Sequence, residues 1–139
     1  MRYGALLILF LSLTLGAGCT QSGKKGAFTG QIISITDSLL TSNGADTIRF
    51  GRLSEGEIAR KRLSIKNNTT SPQLLLSHKT TCGCVRLDYE RKPFAVGETL
   101  PLDMEFDSRG EWGWQMKLIT LYFGTGSSPF KLYVEAEVE

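Results

Sequence analysis

The chain has 139 residues and a formal net charge of +2, with a pI near 8.5. A surplus this small argues against nucleic acid or an anionic surface as the partner. The length suits one domain, and with a single histidine any Ser-His-Asp arrangement would depend wholly on His78.

Residues 1–18 differ from the rest of the chain. Arg2 supplies the one positive charge, residues 5–15 are almost unbroken in their apolar character, and Leu15-Gly16-Ala17-Gly18-Cys19 follows. A bilayer core takes about 20 apolar residues, so this run is too short to span one. A charged start, a short apolar core and small residues before a cut are the marks of a secretory signal. The cysteine at the cut resembles the bacterial lipobox, whose thiol is acylated and becomes the new amino terminus. Cys19 is therefore the expected lipidation site. One position departs from that motif: Gly16 stands where a leucine is usual, and Leu15 lies one residue earlier. Residues 19–27 are small and polar, a composition that makes a flexible tether. Nothing after Cys19 is apolar enough to span a bilayer, so lipid is the expected anchor.

Residues 28–45 read ambiguously: Ile32, Ile33 and Ile35 suit a strand, whereas Asp37-Ser38 suits the start of a short helix. From Asp46 onward the dominant period is two, the strand period. Leu63 and Ile65 mark the inner face of a strand starting near Glu57, with Arg60-Lys61-Arg62 expected as one solvated face. Short strands are expected at 47–50, 73–78 and 85–89. Leu100, Leu102, Met104 and Phe106 alternate with Pro101, Asp103, Glu105 and Asp107. Ile119, Leu121 and Phe123 share one face, as do Phe130, Leu132, Val134, Ala136 and Val138. Proline removes a ladder donor, so the strand holding Pro101 is expected at an edge or beginning there. Turn formers separate these runs, including Ser54-Glu55-Gly56, Val96-Gly97-Glu98 and Ser108-Arg109-Gly110. About seven short, half-buried strands without a long helix predict an all-β fold over residues 46–139, an antiparallel Ig-like β-sandwich.

Thr80-Thr81-Cys82-Gly83-Cys84 is the unusual local feature, and three readings compete. One is a Cys82–Cys84 disulfide, which suits an oxidising compartment. Residues two apart in an extended chain stand about 6.6 Å apart, so Gly83 must bend the loop for a bridge. Another is a copper or zinc site made by His78, Cys82 and Cys84 in the spacing H-x3-C-x-C, with Met104 or Met116 as a further donor. The third is two small buried thiols. Trp112-Gly113-Trp114 follows a turn, and alternation places both indoles on one face. We expect one or both to cap the core; the alternative is an exposed pair that docks a protein partner or a glycan. Catalytic signatures such as G-x-S-x-G and H-E-x-x-H are absent from the sequence. Asp103, Glu105 and Asp107 read as solvated strand decoration, and the expectation is a non-enzyme.

Several ordered segments carry a resemblance over residues 46–139. These are Ile48-Arg49-Phe50-Gly51 with Glu55-Gly56-Glu57, then Leu63-Ser64-Ile65-Lys66-Asn67, then Thr81-Cys82-Gly83-Cys84. Pro93 with Val96-Gly97-Glu98 and a closing strand ending in Val138 complete the set. Together they resemble a bacterial family of Ig-like domains of unknown function, domain-of-unknown-function family 1573. Many relatives have proline where this chain has Val96. The resemblance implies a cell-envelope lipoprotein of Gram-negative gut bacteria without an assigned reaction. In such hosts Asp37-Ser38-Leu39 and Asp46-Thr47-Ile48 are similar to a periplasmic O-glycosylation signal, which makes Ser38 and Thr47 candidate acceptors. No acidic run follows Cys19 to match the surface-export signal of such lipoproteins, so a periplasm-facing position is expected, at the outer membrane rather than the inner.

The expectation for function is a lipid-tethered, non-catalytic module that binds another envelope protein by edge-strand addition, with Trp112 and Trp114 as anchors. The rival is a metal or thiol-redox carrier using Cys82 and Cys84, and glycan binding through the tryptophans comes third.

Overall fold

In the computed structural model, residues 30–139 are described. The expected signal segment, the expected lipidation site Cys19 and the expected tether at 19–27 lie outside the described residues. The elements are β1 (Gln31–Ile35), α1 (Asp37–Thr41), β2 (Ala45–Leu53), β3 (Ile58–Asn67), β4 (Leu75–Thr80), β5 (Val85–Asp88), β6 (Thr99–Asp107), β7 (Gly113–Phe123) and β8 (Phe130–Val138). Two four-stranded sheets form, in the orders β1-β3-β6-β5 and β2-β8-β7-β4. The fold is a β-sandwich.

Each inner face is built by the period-two residues that the sequence shows. Phe106, Leu63, Ile65, Leu100 and Leu102 from the first sheet meet Phe130, Ile48, Ile119, Leu121 and Leu132 from the second, all essentially inaccessible to water. Burying each such side chain contributes about 1.5–3 kcal/mol before the entropy of ordering it.

The described part of the 28–45 segment, from residue 30 onward, resolves into both of its readings, because β1 is followed directly by α1. Thr36 caps the helix, its hydroxyl accepting a hydrogen bond from the Leu39 N–H at 3.3 Å. The sandwich thus reaches back to Gln31 and has eight strands. Two pairs are parallel, β1 with β3 and β2 with β8, and the remaining pairs are antiparallel. Alternation reports which face a residue occupies and nothing about strand direction, so these pairs were not legible in the sequence. The Gln31 side-chain amide donates to the Thr47 carbonyl at 3.0 Å and ties the two parallel edges together.

Two expectations are corrected. Lys61 does not share a face with Arg60 and Arg62, since successive strand residues point to opposite sides. Arg60 and Arg62 point outward and pair with Glu105 and Asp103 at 2.8 and 2.9 Å. The Lys61 ammonium instead lies 5.6 Å from the Phe50 ring centroid. Pro101 sits in β6, an interior strand. The β5 ladder stops at Asp88–Asp103, so the proline lies beyond it, where β6 has lost its second neighbour. On that side its missing N–H breaks no ladder bond.

One end of the sandwich gathers the features that matter below. Here the 54–56 turn, the 108–112 turn and the Cys82–Cys84 loop meet. Ser108 is fully buried, and its hydroxyl donates to the Ser54 and Glu57 carbonyls at 2.7 and 2.9 Å. This bond locks one turn onto the other.

Candidate functional site

The chain leaves the second sheet at Thr80 and enters the first at Val85, and the Cys-Gly-Cys segment makes that crossing. Backbone bonds fix both of its ends. The Thr81 N–H donates to the Leu118 carbonyl at 3.0 Å, and the Leu118 N–H returns a bond to Thr81 Oγ1 at 3.0 Å. At the other end the Asp107 N–H donates to the Cys84 carbonyl at 2.8 Å. The loop bends as a bridge requires, with the two Cα atoms 5.2 Å apart and the sulfurs joined as a disulfide. Cys84 leans on the core, both cysteines are half-buried, and the Cys84 N–H donates to Cys82 Sγ at 3.0 Å.

A carboxylate completes the cluster. Glu111 Oε1 lies 4.0 Å from Cys82 Sγ. A disulfide sulfur has no proton to donate, so in this state the approach is a contact and not a hydrogen bond. Lys117 Nζ reaches both Glu111 oxygens at 3.0 Å. Lys117 occupies the inward series of β7, below Ile119 and Leu121, and an inward lysine needs a buried partner.

Among the described residues, the group that could hold a metal is therefore Cys82, Cys84 and Glu111 and not the set read from spacing. Both sulfurs and a Glu111 oxygen lie within 4.8 Å of one another. His78 stands outside that group: its Nδ1 is 3.3 Å from Tyr89 Oη, and the two rings meet edge to face with centroids 5.6 Å apart. Met104 is buried in the core and Met116 is exposed. While the sulfurs are bonded to each other they offer no thiolate. After reduction, two thiolates and a carboxylate would make three of zinc's four ligands, whereas a carboxylate suits copper(I) poorly.

Trp112 and Trp114 do not cap the core. They are 68% and 59% exposed, and Met116, two residues further along β7, is 52% exposed. Trp114 and Met116 lie on the outer face of the second sheet, opposite Glu137 and Glu135, with Leu118 opposite Tyr133 in the next row. Arg49 pairs with Glu135 at 3.1 Å. A bulge between Arg49 and Gly51, where Gly51 takes a φ of 81°, opens a shallow hollow of about 240 Å³ beside Trp114, Arg49, Arg52 and Glu137. A larger hollow, about 1060 Å³, lies along β3, β5 and β6 and includes His78. Arg60 and Arg62 in its lining are ion-paired, and Lys61 and Arg86 line it as well. Cys82, Cys84 and Glu111 are not among its lining residues.

Ser38 is exposed in the first turn of α1, and Thr47 is half-buried within the β2 ladder. Asp103, Glu105 and Asp107 line the outer face of β6 and pair with Arg62, Arg60 and Arg109. Arg109 donates from its guanidinium and its backbone N–H to Asp107, holding that carboxyl at about 2, well below the usual carboxylate range. Sequence reasoning missed Glu111 and Lys117. The one available signal was a lysine falling in phase with Ile119, Leu121 and Phe123.

A two-sheet sandwich with a Cys-Gly-Cys crossing defines an Ig-like domain of the bacterial kind that the sequence resembles. The sequence profile described as "Protein of unknown function (DUF1573)" matches residues 42–138, and the chain belongs to that family. No curated protein matches it. Among solved structures it is similar to a protein of unknown function from Porphyromonas gingivalis W83, with a TM-score of 0.58 and 18% identity, covering 70% of this chain and 49% of that one. The VesB protease of Vibrio cholerae gives a TM-score of 0.53 at 9% identity, covering 66% of this chain and 30% of that one. The secreted serine protease VesC of Vibrio cholerae gives 0.51 at 11% identity, covering 65% and 21%. The chain spans about half of the first of these and less than a third of the other two. At these identities the likeness is one of fold alone.

Proposed function

We propose that this protein is a lipid-anchored, periplasm-facing, non-catalytic module, tethered through Cys19, that docks another envelope protein on the outer face of its second sheet. The observation that carries the reading is the exposed strip Trp112, Trp114 and Met116. Trp114 and Met116 adjoin on one face, and Trp112 is exposed in the turn just before β7. Large apolar side chains left in water have a solvation cost that a partner would relieve, and interface hot spots are enriched in tryptophan. Both charge signs lie beside the strip on its β8 side, Glu135 and Glu137 in the neighbouring strand and Arg49 and Arg52 in the strand beyond it. A mixed rim of that kind complements a protein surface better than an anionic lipid surface.

The face serves this role better than the edges do. β1 and β5 are only five and four residues long, and β2 is bulged. Short and bulged edges are the devices that discourage strand addition. The His78 ring is engaged with Tyr89, and the acidic groups of β6 are engaged with arginines, which supports a non-enzymatic reading.

Chemical cross-linking in intact cells tests the proposal by comparing the natural chain with a Trp112→Ala/Trp114→Ala variant. One recurring protein adduct that the double substitution abolishes supports it. Repeated recovery of free monomer alone would sink it. Retention on polysaccharide that is lost with Trp114→Ala would favour glycan binding instead.

A further inference from the structure

We propose that Cys82–Cys84 is a reversible thiol–disulfide exchange site, in which Cys82 is the exchanging sulfur and Glu111 takes its proton. This inference does not depend on the docking face. Its reaction partner is a chemical class, an external dithiol or its disulfide.

Three observations carry it. First, the ring closed by the bond spans only Cys82, Gly83 and Cys84, so it restrains the unfolded chain little. The Thr81–Leu118 and Asp107–Cys84 backbone bonds hold the loop without it. The fold therefore does not rely on the bond, and opening it leaves the sulfurs side by side. Second, the two sulfurs differ. Cys84 packs against the core, whereas Cys82 Sγ accepts the Cys84 N–H at 3.0 Å. A donor aimed at a sulfur favours its thiolate form and makes that sulfur the nucleophile. Third, Glu111 Oε1 stands 4.0 Å from the same sulfur, close enough to take the thiol proton after a small approach. Lys117 clamps the carboxylate at 3.0 Å and offsets a negative charge that would otherwise oppose a thiolate.

The steps balance as follows. A thiolate of the external dithiol attacks Cys82 Sγ; a new S–S bond forms, the Cys82–Cys84 bond breaks, and Cys84 leaves as a thiolate that takes up a proton. The second thiol of the dithiol loses its proton and attacks the first sulfur of its own molecule, expelling Cys82 as a thiolate that takes up a proton through Glu111. Two electrons have passed from the dithiol to the protein pair, and the dithiol has become a cyclic or bridged disulfide. In the opposite direction the Cys82 thiol gives its proton to Glu111 and attacks a disulfide, and Cys84 resolves the mixed intermediate.

The test uses the full chain in detergent. It is equilibrated with reduced and oxidised dithiothreitol, quenched in acid, alkylated and mapped by mass spectrometry, while circular dichroism follows the sheets. The expected result is complete, reversible conversion of the pair with the sheet signal unchanged. With oxidised glutathione as probe, Cys84→Ser should accumulate a mixed disulfide at Cys82 about tenfold faster than Cys82→Ser does at Cys84, and Glu111→Gln should slow that adduct by about tenfold. A pair that stays oxidised in the folded protein under excess dithiothreitol overturns the proposal, as do equal adduct rates in the two serine variants. An unchanged rate with Glu111→Gln overturns the role given to that carboxylate. Since the natural chain is measured alongside, a variant that fails to fold leaves the first criterion standing.

Discussion

The Lys117 ammonium and the Glu111 carboxylate form a two-pronged ion pair at 3.0 Å, with side chains only 18% and 21% exposed. It lies between the fully solvated and fully buried cases. Exposed pairs contribute about 0–1 kcal/mol, while stripping one partner from a buried pair costs about 3–5 kcal/mol. Lys117→Met should therefore lower stability by about 1–2 kcal/mol, read as a shift in the urea midpoint. Adding Glu111→Gln to it should restore part of that loss, because the stranded carboxylate is gone. A double variant less stable than the single would contradict this reading.

Asn67 is the polar centre of the opposite end. It is fully buried, and its amide nitrogen donates to the Ser71 and Phe94 carbonyls at 3.0 and 3.1 Å. Its amide oxygen accepts from the Thr69 N–H at 3.0 Å and the Thr69 hydroxyl at 2.7 Å. Asn67→Ala orphans the Thr69 N–H, while the Ser71 and Phe94 carbonyls keep the Thr69 hydroxyl and the Gln73 N–H as donors. The expected loss is about 1–3 kcal/mol in denaturant unfolding, the cost of one orphaned buried group. Thr125, whose hydroxyl donates to the Gln73 side chain at 2.7 Å at the rim of this network, should cost less when replaced by valine.

Asp107 supplies a pH signature. The Arg109 guanidinium, then its backbone N–H, hold the Asp107 carboxyl at about 2. A carboxyl depressed in the folded state stabilises the protein above its ordinary titration range. That contribution fades as the pH falls from about 4 through about 2. Carbon-detected NMR titration should find an Asp107 midpoint near 2 in the natural chain. In Arg109→Ala it should rise toward the usual carboxylate value but stay below it, because the residue-109 backbone N–H remains. An ordinary midpoint in the natural chain would contradict the pairing.

The exposed tryptophans predict a split between stability and association. Trp114→Ala removes a side chain that is 59% exposed, so unfolding should change by no more than about 0.5 kcal/mol. Phe106→Ala, deep between the sheets, should cost about 3–5 kcal/mol. If Trp114→Ala proved as damaging as Phe106→Ala, the indole would be a core residue in solution and the docking face would fail.

Most of the architecture was legible because one face of nearly every strand is buried. Leu100, Leu102, Met104 and Phe106 announce β6, and the run from Phe130 to Val138 announces β8 in the same way. What stayed hidden has physical causes. Ile32, Ile33 and Ile35 show a strand but carry no mark of its parallel partner, β3. Trp112 and Trp114 have the composition of a core cap, and only the position of β7 shows that they face water. His78 drew the metal reading by closeness in sequence, yet the β4 bulge between Leu75 and Ser77 and the turn into β5 direct it to Tyr89. Glu111 is invisible to spacing because it lies 29 residues from Cys82 and is brought there by the turn after β6.

The docking face is tested most directly by a photo-reactive residue introduced in living cells at Met116, with Arg62 on the outer face of the other sheet as the comparison site. The account predicts one discrete protein adduct from position 116, none from position 62, and loss of the adduct when Trp114→Ala is added. Free monomer from both positions, or the same adducts from both, would contradict it.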